Sequence, residues 1–203
     1  MEFEFLVVLK ELVLICDEIG SGYRNRVRGY LQGRVNVWFP EDPIGNTVQL
    51  LDVLQDSVLR RQPDIVHISA SLGDTKRICY GSDERLVPLE FYEENVRRIV
   101  DLIAERSTSK LIWGSIPPVD EKNFNRENDE DGNCDLYDYQ SIMEYNDRAR
   151  SLLSSEGILI NDLYGAVKAA SREDSFRPNG VHFCEIGCEL LARKIVSSVE
   201  DCL

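Results

Sequence analysis

Two hydrophobic periods alternate along the chain. Short unbroken apolar runs occur at 12–15 (LVLI), 35–39 (VNVWF), 65–69 (IVHIS), 111–114 (LIWG) and 158–160 (ILI). Runs of this length, bounded by turn residues, are the pattern of strands buried on both faces. Between them, apolar residues recur at three- and four-residue steps. Val48, Leu51, Leu54 and Val58 follow a capping Asn46, and Leu89, Tyr92, Val96, Ile99 and Ile103 follow Pro88. Ile142, Tyr145, Ala149 and Leu152 mark another helix, 23–31 a short one closed by Gly33, and 184–199 a closing one. Such spacing predicts amphipathic helices that lay one stripe on a sheet. Strand and helix in alternation predict an α/β protein with a five-stranded parallel sheet. Neither an internal repeat nor a second hydrophobic unit is present, so a single domain over 1–203 is expected.

Composition narrows the partners. The 203 residues are 43% hydrophobic and 29% charged, with a formal net charge of −13. Nucleic acid and anionic membrane are repelled by that balance, which favours a small-molecule ligand or substrate, or a protein partner. Glu2 and Glu4 stand where an export signal carries basic residues, and Lys10-Glu11 interrupts the apolar start. A cytoplasmic protein without a membrane span is expected. Six irregularly spaced cysteines read as free thiols, Cys184 and Cys188 sharing a helix face with Leu191, Ile195 and Val199. The set His182, Cys184 and Cys188 lacks a fourth ligand for zinc. The segment 120–138 carries eight acidic residues against Lys122 and Arg126. Its Asp129, Asp131, Asn133 and Asp135 flank Gly132 like part of a calcium loop, but no glutamate closes the pattern, and a solvated acidic loop is expected. No metal and no cofactor is expected.

The stretch with chemical character is 16–23, CDEIGSGY, at the carboxyl end of the first strand. Strand ends of this kind are where open α/β sheets bind ligands. It resembles the first signature block of the SGNH/GDSL hydrolase family, GDSIxxGY, and further blocks follow in the family's order. These are Pro43-Ile44-Gly45-Asn46-Thr47, Ser71-Leu72-Gly73-Asp74, and Asn179-Gly180-Val181-His182, with linking runs at 87–91 (VPLEF) and at Pro117-Pro118. The resemblance implies a flavodoxin-like three-layer α/β/α sandwich. It also implies a site built from a serine nucleophile, a histidine base with its aspartate, and oxyanion donors. Glu18 occupies the serine position, Gly73 that of the oxyanion asparagine, and Asn179 that of the triad aspartate. Gly45 matches the oxyanion glycine, or serves only the turn into the helix. His182 matches the base.

Asp17 and Asp74 match positions that tie the strand-end turns together. His67, in mid-strand, reads as a core histidine bonded to a neighbour. Ser21, Ser69, Ser71 and Ser115 are the remaining hydroxyls near strand ends, none on the expected turn. A carboxylate at 18 does not form the usual acyl-enzyme. The sequence therefore predicts an SGNH-like pseudoenzyme that binds a small molecule or a protein. The alternatives are an isomerase, lyase or hydrolase using Glu18 and His182 as an acid/base pair, and a residual ester hydrolase.

Overall fold

The computed structural model describes residues 8–78, 83–124, 137–170 and 175–203. Five parallel strands form one sheet: β1 (Lys10–Cys16), β2 (Val35–Trp38), β3 (Ile65–Ser69), β4 (Lys110–Gly114) and β5 (Leu159–Asn161), in the order β2-β1-β3-β4-β5. Each apolar run forms a strand, the last shifted by one residue. Leu12, Val13, Leu14 and Ile15 are fully buried, as are Ile65, Val66 and Ile68 beside them. Central strands of a parallel sheet are covered on both faces, which is why they read as continuous apolar runs. Truncating Leu14 or Ile68 to alanine is expected to cost about 2–5 kcal/mol.

Helices cover both faces. Helix α1 (Arg24–Leu31) packs on α6 (Glu185–Glu200), which also contacts α5 (Leu163–Ala169). A second row places α2 (Thr47–Leu54), α3 (Leu89–Arg106) and α4 (Tyr139–Ser155) side by side. Tyr92 of α3 and Tyr145 of α4 meet ring to ring at 4.9 Å between centroids.

Two expectations change. The core stripe of α2 is Leu50, Leu54 and then Val58 in the π turn that extends the helix, whereas Val48 is 49% exposed. The rotation is set by Thr47, whose N–H and hydroxyl both donate to the buried Asp74 carboxylate. Helix α5 has no counterpart in the hydrophobic pattern; it is one short segment in which Leu163 and Val167 are the buried residues. The calcium-like run 129–135 and most of the acidic segment lie outside the described residues.

Strand order places the site. The chain leaves β1 toward β2 on one side, and β3 lies on the other, so the sheet's direction of winding reverses between β1 and β3. Loops leaving two such strands diverge and open a crevice. Facing that crevice are the turn after β1, the loop entering α2, the turn after β3 and the loop before α6.

Candidate functional site

After β1 the backbone enters a short 3-10 turn, Glu18–Gly22, that projects residue 18 outward. Asp17 points inward: it is 5% exposed, and Oδ2 accepts from Leu72 N–H at 3.4 Å. Asp74 is fully buried and accepts from Thr47 N–H, with Oδ2 at 2.9 Å. Together these two carboxylates tie the turns after β1 and β3 to each other and to α2. Burial pushes both up to about 7, against the backbone and hydroxyl donors that favour their charged forms.

The loop before α6 carries the histidine. A turn closes from Gly180 N–H to Arg177 O at 3.0 Å, with Gly180 in the left-handed region at φ +72°. Arg177 N–H then donates to His182 O at 2.8 Å. The imidazole is thereby brought over the end of β1, and its Nε2 lies 3.5 Å from Glu18 Oε1. Glu18 is largely exposed, with 78% of its side-chain surface open against 29% for His182.

Asn179 decides which nitrogen of that ring carries the proton. Its Oδ1 accepts two backbone N–H groups, from His182 at 3.1 Å and Val181 at 3.3 Å. Those donors fix the orientation of the amide, so the group facing His182 Nδ1 at 2.8 Å is Nδ2, a donor. Nδ1 must then accept, and in the neutral ring the hydrogen sits on Nε2, the nitrogen that lies 3.5 Å from Glu18 Oε1. A serine-hydrolase base needs the opposite tautomer, with Nδ1–H on a carboxylate and the Nε2 lone pair toward the nucleophile.

Glu18, His182 and Asn179 share one cavity of about 430 Å³ with Gly45, Asn46, Gln49, Gly73, Lys76, Phe124 and Tyr137. All five residues singled out from the sequence blocks therefore line one space. Gly45 N–H is engaged there by Gln49 Oε1 at 2.8 Å. Gly73 offers no side chain, and a Cβ at that position would lie 2.3 Å from Gly45 O. The backbones of these two loops already touch, through Gly73 N–H and Gly45 O at 3.0 Å. Asn46 and Gln49 do not stand out in the sequence as site residues. Only the cap at Asn46 hints at their arrangement.

None of the four alternative serines lines this cavity. Ser69 is buried on the Tyr23 hydroxyl at 3.0 Å, and Ser115 donates to Asp162 at 3.2 Å. His67 is fully buried, takes a hydrogen bond from Asn161 at 3.0 Å, and is pulled down to about 3 by burial. A wider basin of about 1020 Å³ adjoins at Leu86, where Arg77 and Arg85 both pair with Asp138. Among the described residues no group of three His, Cys, Asp or Glu is gathered to hold a metal, and no helix is long and apolar enough to cross a membrane.

Solved structures similar to this chain include lipases and esterases. A lipase/acylhydrolase from Enterococcus faecalis matches with a TM-score of 0.77 at 23% identity, covering 95% of this chain and 96% of that one. A GDSL-like lipase from Bacteroides thetaiotaomicron gives 0.71 at 18% identity, over 96% of this chain and 89% of that one. A catalytic mutant of an acetylxylan esterase from Geobacillus stearothermophilus gives 0.73 at 19% identity, over 94% of each. No family model and no curated protein sequence matches the chain. The fold is thus that of the GDSL-like lipases and esterases, a five-stranded parallel sheet between helices. At these identities the likeness is one of fold, and the chemistry rests on the residues above.

Proposed function

We propose that this chain is an SGNH-like protein without serine-esterase chemistry, which uses the cavity above β1 and β3 to bind a small-molecule ligand. A protein segment is the alternative occupant. The observation that carries the reading is the Asn179 amide, which donates to His182 Nδ1 and so leaves a hydrogen on Nε2. A ring in that state has no lone pair facing the reacting position, and a glutamate stands where the hydroxyl would be. Loss of the nucleophile, of the orienting carboxylate and of one oxyanion side chain supports the same reading from three sides. The experiment is hydrolysis of short-chain aryl esters by the purified protein and its His182→Ala variant. Equal rates at the background level are expected. A robust rate that disappears with His182 would overturn the proposal.

One observation favours a second reading. Glu18 and His182 meet at 3.5 Å beneath an open cavity. A carboxylate that accepts a proton and an Nε2–H that donates one form a workable pair for isomerisation, elimination or hydrolysis. In that reading Glu18 is the base and His182 the acid. Glu18→Gln and His182→Ala should each abolish turnover of the true substrate without changing the thermal midpoint. Turnover surviving both substitutions would exclude it.

A further inference from the structure

The loop entering α2 brings two hydrogen-bond donors to the cavity that neither reading uses. Gly45 N–H is occupied by the chain itself, through Gln49 Oε1 at 2.8 Å. Asn46 is 9% exposed, and its Oδ1 caps α2 by accepting from Gln49 N–H at 3.0 Å. That bond fixes the amide, so Nδ2 is the end left over, and it has no hydrogen-bond partner among the described residues. In the usual capping box the third helical residue reaches back to the N–H of the cap residue itself. Here it reaches one residue further, to the glycine that the family resemblance assigns to oxyanion binding.

We infer that Gly45 N–H, occupied in the resting protein by the Gln49 side-chain oxygen, and the unpartnered Asn46 Nδ2 form an oxygen-binding subsite that opens when a ligand with a neutral carbonyl displaces Gln49. This deepens the ligand-binding reading and rests on it. Asn46 stands in the right neighbourhood to replace the donor lost at 73, since a Cβ on Gly73 would lie 3.7 Å from Asn46 Cβ. Gln49 is exposed and free to swing outward. The helix stays capped by Asn46 Oδ1 when it does, so the exchange trades one hydrogen bond for another. The resting occupant is a neutral amide. Glu18 and Lys76 bring one charge of each sign to the same cavity, and Asp17 turns its carboxylate to Leu72 N–H. A neutral carbonyl suits that balance better than a carboxylate.

The test is a titration of the full chain with acetamide, and separately with acetate, followed through backbone and side-chain amide NMR signals. Saturable shifts of Gly45 N–H and the Asn46 side-chain NH₂ are expected with acetamide. Gln49→Ala should move the Gly45 N–H signal before any probe is added, and should tighten acetamide about fivefold. Asn46→Asp keeps the cap but removes the donor, and should weaken acetamide by at least about fivefold. If signals of Glu18, His182 and Gly73 respond while those of Gly45 and Asn46 do not, the cavity binds ligands and this subsite is wrong. Should no cavity signal respond to either probe, the ligand-binding reading falls with it. Tighter binding of acetate, or a Gly45 signal unmoved by Gln49→Ala, overturns the inference.

Discussion

Glu18→Ser puts a hydroxyl beside His182, on a turn that already presents residue 18 to the cavity. By itself the substitution should fail to create an esterase, because Asn179 holds the imidazole in the wrong tautomer. Switching the ring would break the 2.8 Å contact between Asn179 Nδ2 and His182 Nδ1 and set two donors face to face. In a serine protease triad the comparable aspartate-to-asparagine change lowers kcat by about 10⁴, equivalent to about 5.5 kcal/mol of barrier. Asn179→Asp reverses that step. One carboxylate oxygen keeps the Val181 and His182 N–H groups, and the other accepts Nδ1–H. The double variant Glu18→Ser/Asn179→Asp should therefore hydrolyse p-nitrophenyl acetate about 10³–10⁴ times faster than Glu18→Ser. Its absolute rate should stay about 10²–10³ below that of a complete site, for want of an amide at 73. Initial rates of nitrophenol release are read at neutral pH, with His182→Ala added to each variant as the background. ¹⁵N shifts of the imidazole provide the direct check, with Nε2 bearing the hydrogen in the parent and Nδ1 in the Asn179→Asp variant. A Glu18→Ser rate within about threefold of the double variant, or Nδ1–H in the parent, would refute the tautomer argument.

Other consequences are open to measurement. Gly73→Ala should destabilise by about 1–3 kcal/mol, read as a lower urea midpoint, because its Cβ would meet Gly45 O at 2.3 Å. Asp17 and Asp74 sit at about 7 in the fold against an ordinary 3.8, so the native state holds protons that the unfolded chain releases. Their contribution is fully present below about 4 and is lost as pH rises through about 7. Asp17→Asn should accordingly be more stable than the parent near pH 8, by up to roughly 2–4 kcal/mol, and the gap should narrow toward pH 4. Denaturant titrations across that range test it, and a gap that widens on acidification would contradict it. Asn161→Ala removes the donor shared by His67 and Ser198 at 3.0 Å each, and should cost about 1–3 kcal/mol without affecting cavity binding.

The sheet was legible because its central strands are buried on both faces, and an unbroken apolar run as short as 12–15, closed by turn residues, is too brief for a buried helix. Helix α5 was not, since a single buried pair, Leu163 and Val167, gives no period to detect. In α2 the expected stripe Val48, Leu51, Leu54 and Val58 shares Leu54 and Val58 with the observed one, which runs through Leu50 in place of Val48 and Leu51. Hydrophobicity alone does not choose, because the rotation is set by a polar contact, Thr47 on Asp74. The site divides in the same way. Glu18, Gly45, Gly73, Asn179 and His182 were located by their order in the signature blocks, and the fold gathers them around one cavity. What the sequence withheld was direction: which end of the Asn179 amide faces the ring, and where the Gly45 N–H points. Both depend on hydrogen bonds from backbone N–H groups and a side chain that composition and spacing do not encode.

The contact between the loops bearing Gly45 and Gly73 limits how this scaffold can be redesigned. With Gly73 N–H on Gly45 O and no room for a Cβ, an engineer who wants a side chain at 73 must first move the neighbouring loop apart. Designing a serine hydrolase on this scaffold is thus a problem of ordered, interdependent changes. Libraries that vary one codon at a time are poorly suited to it, and designs that respace both loops before choosing side chains have the better starting point.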